Sequence, residues 1–176
     1  MRVLAIQHFG AQRYLWAGVA AVGNDPGKGC FRWLLTGGEE NPEGWRAYRS
    51  GWDAGGCRAL AFQGSKVLAG SLRFGVLRLD VAEREPQWQA PDINCKLPLR
   101  DRHSLQPVDV VATDSSGERL LAAGVEGVYR SIDQGKHYEH VSNSEFPEVV
   151  TLPETWLFCS GEHDINVVSE DEKQRD

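Results

Sequence analysis

Ser131 and Asp133 set a hydroxyl and a carboxylate two residues apart, the residue types of a nucleophile and an acid. The surrounding stretch, GVYRSIDQGKHY over residues 127–138, gives that spacing a structural meaning. Asp133 can turn back and accept backbone N–H groups across a tight turn, while Gly135 supplies a position at φ > 0. Tyr138 then starts the returning strand and covers the turn. The pattern describes a turn, and no catalytic residue is assigned.

The other candidate chemistries reduce in the same way. Asp80, Glu83 and Glu85 lie close together, but glycoside hydrolysis needs two carboxylates facing each other across a cleft, and these fall in one surface turn. Residues 24–29, NDPGKG, resemble a phosphate loop only superficially. Their glycine spacing is short, Gly29 replaces the hydroxyl, and strands flank them, so they read as a hairpin turn. His137 and His140 are three apart, which puts them on opposite faces of a strand. With His163 and Asp164 they make no metal site, and no metal or cofactor is assigned. Cys30, Cys57, Cys95 and Cys159 lack the short spacings of zinc and redox motifs. Three of them sit in apolar runs and read as small core residues.

A repeat positions all these residues. Its first element is an apolar strand at 2–7, 57–62, 108–113 and 147–152. The second, at 14–18, 66–70, 119–124 and 155–161, ends in glycine after a small residue. A third follows at 29–35, 75–80, 127–132 and 164–169, and an aromatic-led fourth at 45–49, 87–90 and 137–141. Runs of this length suit strands buried on both faces, and glycines closing the second strand allow close backbone approach. No helical periodicity competes, so the expected class is all-β. The repeat length is near that of a four-stranded propeller blade.

Ser131-x-Asp133-x-Gly135-x-x-Tyr138, preceded by three strands, resembles the Asp-box (BNR) repeat, Ser/Thr-x-Asp-x-Gly followed by an aromatic residue. The motif is complete once; Ser169-x-Asp171 repeats it in part, with Lys173 where the motif has glycine. The resemblance implies a β-propeller of four-stranded antiparallel blades, related in scaffold to sialidases, xyloglucanases, sortilin-type receptors and photosystem-assembly propellers. It also implies that the box is structural and lies on the outer turn of a blade. One domain is expected over 1–176, with repeats at 2–52, 56–92, 108–142 and 147–171 and an acidic tail at 172–176. The fourth repeat lacks its outer strand. Three outcomes stay open: a small irregular ring, a piece of a longer chain, or a homodimer in which two copies complete one ring.

Composition bounds the partners. The formal net charge is −6, and residues 162–176 carry Glu162, Asp164, Glu170, Asp171, Glu172 and Asp176 against Lys173 and Arg175, leaving a nearly neutral body. No basic footprint for nucleic acid is present. No apolar run reaches the length of a membrane span or a signal core, and the scattered cysteines point to a reducing, cytoplasmic setting. Trp45, Tyr48 and Trp52 interleave with arginines and offer stacking platforms. The longest connection, 89–107, carries Arg100, Asp101, Arg102 and His103, and long loops in compact domains are often functional. These seven residues are the candidate partner surface. The expected function is a non-enzymatic protein-interaction or assembly scaffold; the alternative is a carbohydrate-active propeller, either a glycan binder or a degenerate hydrolase.

Overall fold

The computed structural model describes residues 2–35, 44–114 and 118–141. The chain divides into two compact units, Met1–Ser142 and Asn143–Asp176. The fourth repeat, Cys159, His163, Asp164 and the acidic tail lie outside the described residues. Among those described there is no helix, and the fold is all-β.

Four sheets form in chain order, each from neighbouring antiparallel strands. The first contains β1 (Val3–Phe9), β2 (Gln12–Gly18), β3 (Cys30–Leu34) and β4 (Arg46–Tyr48). The second contains β5 (Cys57–Gln63), β6 (Lys66–Ser71) and β7 (Val76–Asp80). A small hairpin of β8 (Leu99–Asp101) and β9 (Ser104–Leu105) follows. The last sheet contains β10 (Val110–Thr113), β11 (Leu120–Gly124), β12 (Gly127–Ser131) and β13 (Glu139–His140). The first strands of the three large sheets lie side by side, with β5 against both β1 and β10.

Among the described residues the expected strands of the first three repeats are present with boundaries shifted by a few residues, except the fourth element of the second repeat. There, residues 87–90 make only the single bridge Arg78↔Gln89. Pro86 and Pro91 bracket the segment and cannot donate to a ladder. Trp88 is drawn away instead: its N–H donates to Ser50 O at 2.9 Å and its indole N–H to Tyr48 O at 3.1 Å. The β8–β9 hairpin was not expected from the sequence, which showed its segment only as a connection.

Two core clusters fill the spaces between sheets. Trp16, Cys30 and Tyr48 of the first sheet meet Cys57, Val67, Leu77 and Leu79 of the second, joined by Trp52 and Trp88. On its other face the second sheet supplies Ala59, Leu68 and Val76 to a cluster with Cys95, Leu97, Leu105, Val111, Leu120, Ala122 and Tyr138. Both faces of the second sheet are thus buried, as its unbroken apolar runs require. The outer face of the first sheet differs: Leu4 and Ile6 are 51% and 46% exposed.

Close approach explains the glycines at the ends of β2 and β11 and next to the end of β6. A Cβ at Gly18 would lie 2.6 Å from Cys57 Sγ, one at Gly70 2.6 Å from Val108 O, and one at Gly124 2.2 Å from Pro107 O. Each is a distance no real Cβ tolerates, so glycine is what lets backbone and neighbouring residues pack here. One buried polar side chain is satisfied locally. Gln7, fully buried, donates to Gly64 O at 2.7 Å and accepts the Trp16 indole N–H at 2.8 Å.

Candidate functional site

β12 ends at Ser131, and the chain reverses through a turn that its own side chains close. Ser131 Oγ donates to Asp133 Oδ1 at 2.8 Å and accepts the Gly135 N–H at 2.8 Å. Asp133 Oδ1 accepts the N–H groups of Lys136 and His137 at 3.0 and 2.9 Å, and its Oδ2 lies 2.7 Å from His137 Nδ1. Burial alone would raise the Asp133 carboxyl. The His137 amide and ring and the Ser131 hydroxyl outweigh it and hold the group well below the usual carboxylate range. Gln134 and Gly135 occupy the left-handed region at φ 62° and 81°. A Cβ at Gly135 would sit 2.9 Å from both Leu120 Cδ1 and the Tyr138 hydroxyl. Ser131 is 1% exposed. Its hydroxyl is engaged in shaping the turn.

Tyr138 connects this turn to the long 89–107 segment. Its N–H donates to Cys95 O at 2.8 Å, and its ring, 1% exposed, packs with Cys95, Leu97 and Leu105. Burial pushes both the Tyr138 phenol and the Cys95 thiol up. The segment is therefore anchored in the core through three apolar side chains, while its tip projects. At the tip Arg100, Asp101, Arg102 and His103 are all exposed. Asp101 is directed inward to the turn, accepting Ser104 Oγ–H at 2.6 Å and the His103 N–H at 2.8 Å, and these bonds lower its pKa. Among the described residues neither Arg100 nor Arg102 meets a carboxylate. The tip presents two guanidinium groups held on a short hairpin.

The aromatic candidates do not form one surface with it. Trp45 precedes β4, is 45% exposed and stacks against Trp33 with ring centroids 5.6 Å apart. Tyr48 and Trp52 are buried at 4% and 7%. Tyr48 pairs with Cys30 across β3–β4, which turns it to the Trp16 side of the sheet, with ring centroids 5.1 Å apart. Trp52 packs edge-on to Trp88 and donates its indole N–H to Gly55 O at 2.8 Å. Tyr48 and Trp52 thus offer no open stacking face; inter-sheet packing has taken them. Arginines of β3 and β4 stack on rings of this sheet, with Arg32 over the Tyr14 ring at 4.2 Å and Arg46 over Tyr48 at 5.3 Å.

The chain matches no protein-family model, and no curated protein matches it.

Two arrangements were invisible to motif reading. A cleft of about 200 Å³ opens between the second and last sheets, where Gln63, Lys66, Arg78, Asp80, Glu83, Gln89 and Gln134 share the lining with Leu68, Leu79 and Leu120. Arg78 crosses it to donate to Gln134 O at 2.9 Å, so the turn after β12 forms one of its walls. Elsewhere, Asp109 forms an ion pair with Arg58 and lies 3.9 Å from Arg2, tying together the starts of the three first strands. Both sets draw on residues far apart in the chain, and no local spacing announces them. Of the two histidines on this last hairpin, His137 turns to Asp133, and His140 packs edge-on to Tyr129 at 5.0 Å.

Proposed function

We propose that this chain is a non-enzymatic protein-interaction or assembly scaffold built on a propeller of the Asp-box type. Three successive antiparallel meanders with adjacent first strands, glycines at each close approach and the side-chain-closed turn at Ser131–Asp133 support that architecture. In this reading Ser131, Asp133, Gly135 and Tyr138 are structural. The observation that carries the function is the β8–β9 hairpin: its base is locked in the core by Cys95, Leu97 and Leu105, while Arg100 and Arg102 are exposed and meet no carboxylate among the described residues. A rigid, pre-organised cationic tip fits a partner protein with an acidic surface. Affinity capture with the intact chain tests this. One stoichiometric partner, weakened by added salt and lost with R100E/R102E, supports it; a partner held equally by wild type and variant removes the hairpin from the reading.

A glycan-binding function is the second reading, favoured by the cleft, whose amide, carboxylate and guanidinium groups are the donors and acceptors that polyols use. Trp45 is the remaining open aromatic platform among the three candidates. Binding on a glycan array, abolished by Q89A in the cleft and untouched by R100E/R102E, would replace the first reading with the second.

A further inference from the structure

We propose that Cys30 and Cys57 are a site of reversible disulfide formation, cross-linking the first sheet to the second. The two residues begin β3 and β5 on neighbouring sheets, and a glycine brings them together. Cys30 stands opposite Gly18 in the β2–β3 register. Because Gly18 carries no side chain, Cys57 fills its place: a Cβ at position 18 would lie 2.6 Å from Cys57 Sγ and 2.9 Å from Cys57 Cβ. Both cysteines are free thiols, completely buried in one core cluster, and the Cys57 thiol donates weakly to Ala59 O at 3.6 Å. A disulfide spans Cα atoms roughly 4.4–6.8 Å apart, which is the spacing the proposed cross-link requires of this pair. Two thiols do not make a structural zinc site, which takes four ligands. No set of three His, Cys, Asp or Glu side chains able to hold a metal occurs among the described residues.

The oxidant is a small-molecule disulfide. One protein thiol, as thiolate, attacks a sulfur of that disulfide, breaking its S–S bond, forming a mixed disulfide and releasing one small thiolate. The second protein thiolate attacks the protein sulfur of the mixed disulfide, closes the Cys30–Cys57 bond and releases the second small thiolate. Two protein thiols are oxidised, one small disulfide is reduced to two thiols, and the two protein protons end on the released thiols. The Cys57 side chain and burial push the Cys30 thiol up, so Cys30 waits as a thiol until the sheets open transiently. The cross-link then converts a packing contact between two sheets into a covalent one.

The test is incubation of the intact chain with oxidised glutathione, alkylation of remaining thiols, and intact-mass and peptide mapping without reduction. The expected result is a mass loss of about 2 Da, a Cys30–Cys57 cross-linked peptide and reversal by dithiothreitol. A rise in Tm of roughly 5–15 °C should accompany the bond. C30A and C57A should each stop at a glutathione adduct on the remaining partner, while C95A should still form the bond. Recovery of Cys30 and Cys57 as alkylated thiols while Cys95 or Cys159 takes up glutathione would overturn the proposal. A Cys30–Cys57 bond appearing only in chains that have lost their near-ultraviolet tryptophan dichroism would overturn it equally. The wild-type map decides the matter even where an alanine variant fails to fold.

Discussion

The backbone N–H of Tyr138 donates to the carbonyl oxygen of Cys95 at 2.8 Å. That one bond joins the side-chain-closed turn after β12 to the long connection that carries the β8–β9 hairpin. The two most conspicuous stretches of the sequence, which as sequence have nothing to do with each other, are a single packed unit. Loss of the turn should therefore be felt at the hairpin.

Asp133→Ala removes the acceptor of the Lys136 and His137 amides and the partner of the His137 ring. The expected cost is about 1–3 kcal/mol, the usual range for charge-assisted hydrogen bonds, read as a lower urea midpoint at unchanged slope. Asp133→Asn keeps one oxygen acceptor and should cost less. Because the folded carboxyl is held below its ordinary value, its contribution is complete above the unfolded pKa of about 4 and fades as pH falls through the depressed folded value. The stability gap between wild type and D133N should thus be flat from pH 7 to about 5 and close below about 4. A gap that instead closed above pH 5 would mean that Asp133 is not the group responsible.

Gly124→Ala puts a Cβ 2.2 Å from the Pro107 carbonyl oxygen. A backbone atom cannot rotate aside, so the strand must shift, at roughly 1–3 kcal/mol as for other overpacked sites. Gly10→Ala has open space around its Cβ but a φ of 61°, so its penalty is conformational alone. Thermal melts of the two variants separate crowding from backbone preference: repacking of the neighbouring Pro107–Val108 region is expected only for Gly124.

Leu105→Ala truncates a side chain that is 1% exposed at the base of the hairpin. About 2–5 kcal/mol should be lost, and amide exchange should speed up both in the hairpin and at Tyr138, whose cluster it shares. R100E/R102E, on an exposed tip, should leave the Tm within experimental error while changing partner capture. Exchange confined to the hairpin in L105A would contradict the coupling between the two segments.

Tyr138→Ala empties a nearly closed site beneath the turn, since the ring is 1% exposed and borders Gly135, Leu120 and Cys95. An aromatic truncation of this kind costs about 3–5 kcal/mol. If the loss measured by urea unfolding were below about 1 kcal/mol, the ring would not be the support of the turn.

What sequence alone determined here is local. Strand positions follow from apolar runs and their period, because neighbouring backbone pairing satisfies its hydrogen bonds wherever a run is bounded by turn residues. The turn at Ser131–Tyr138 was equally readable, since the hydrogen bonds made by its Ser131 and Asp133 side chains join residues at most four apart. Only tertiary structure decided which aromatic residues are open. Trp45, Tyr48 and Trp52 look alike in sequence, yet Trp45 is exposed and the other two are buried, because only the latter two enter the core packed between the first and second sheets. The same holds for the docking of Cys95 beneath Tyr138 and for Cys57 beside Cys30: each contact joins distant segments through packing between sheets, and packing leaves no fixed spacing along the chain.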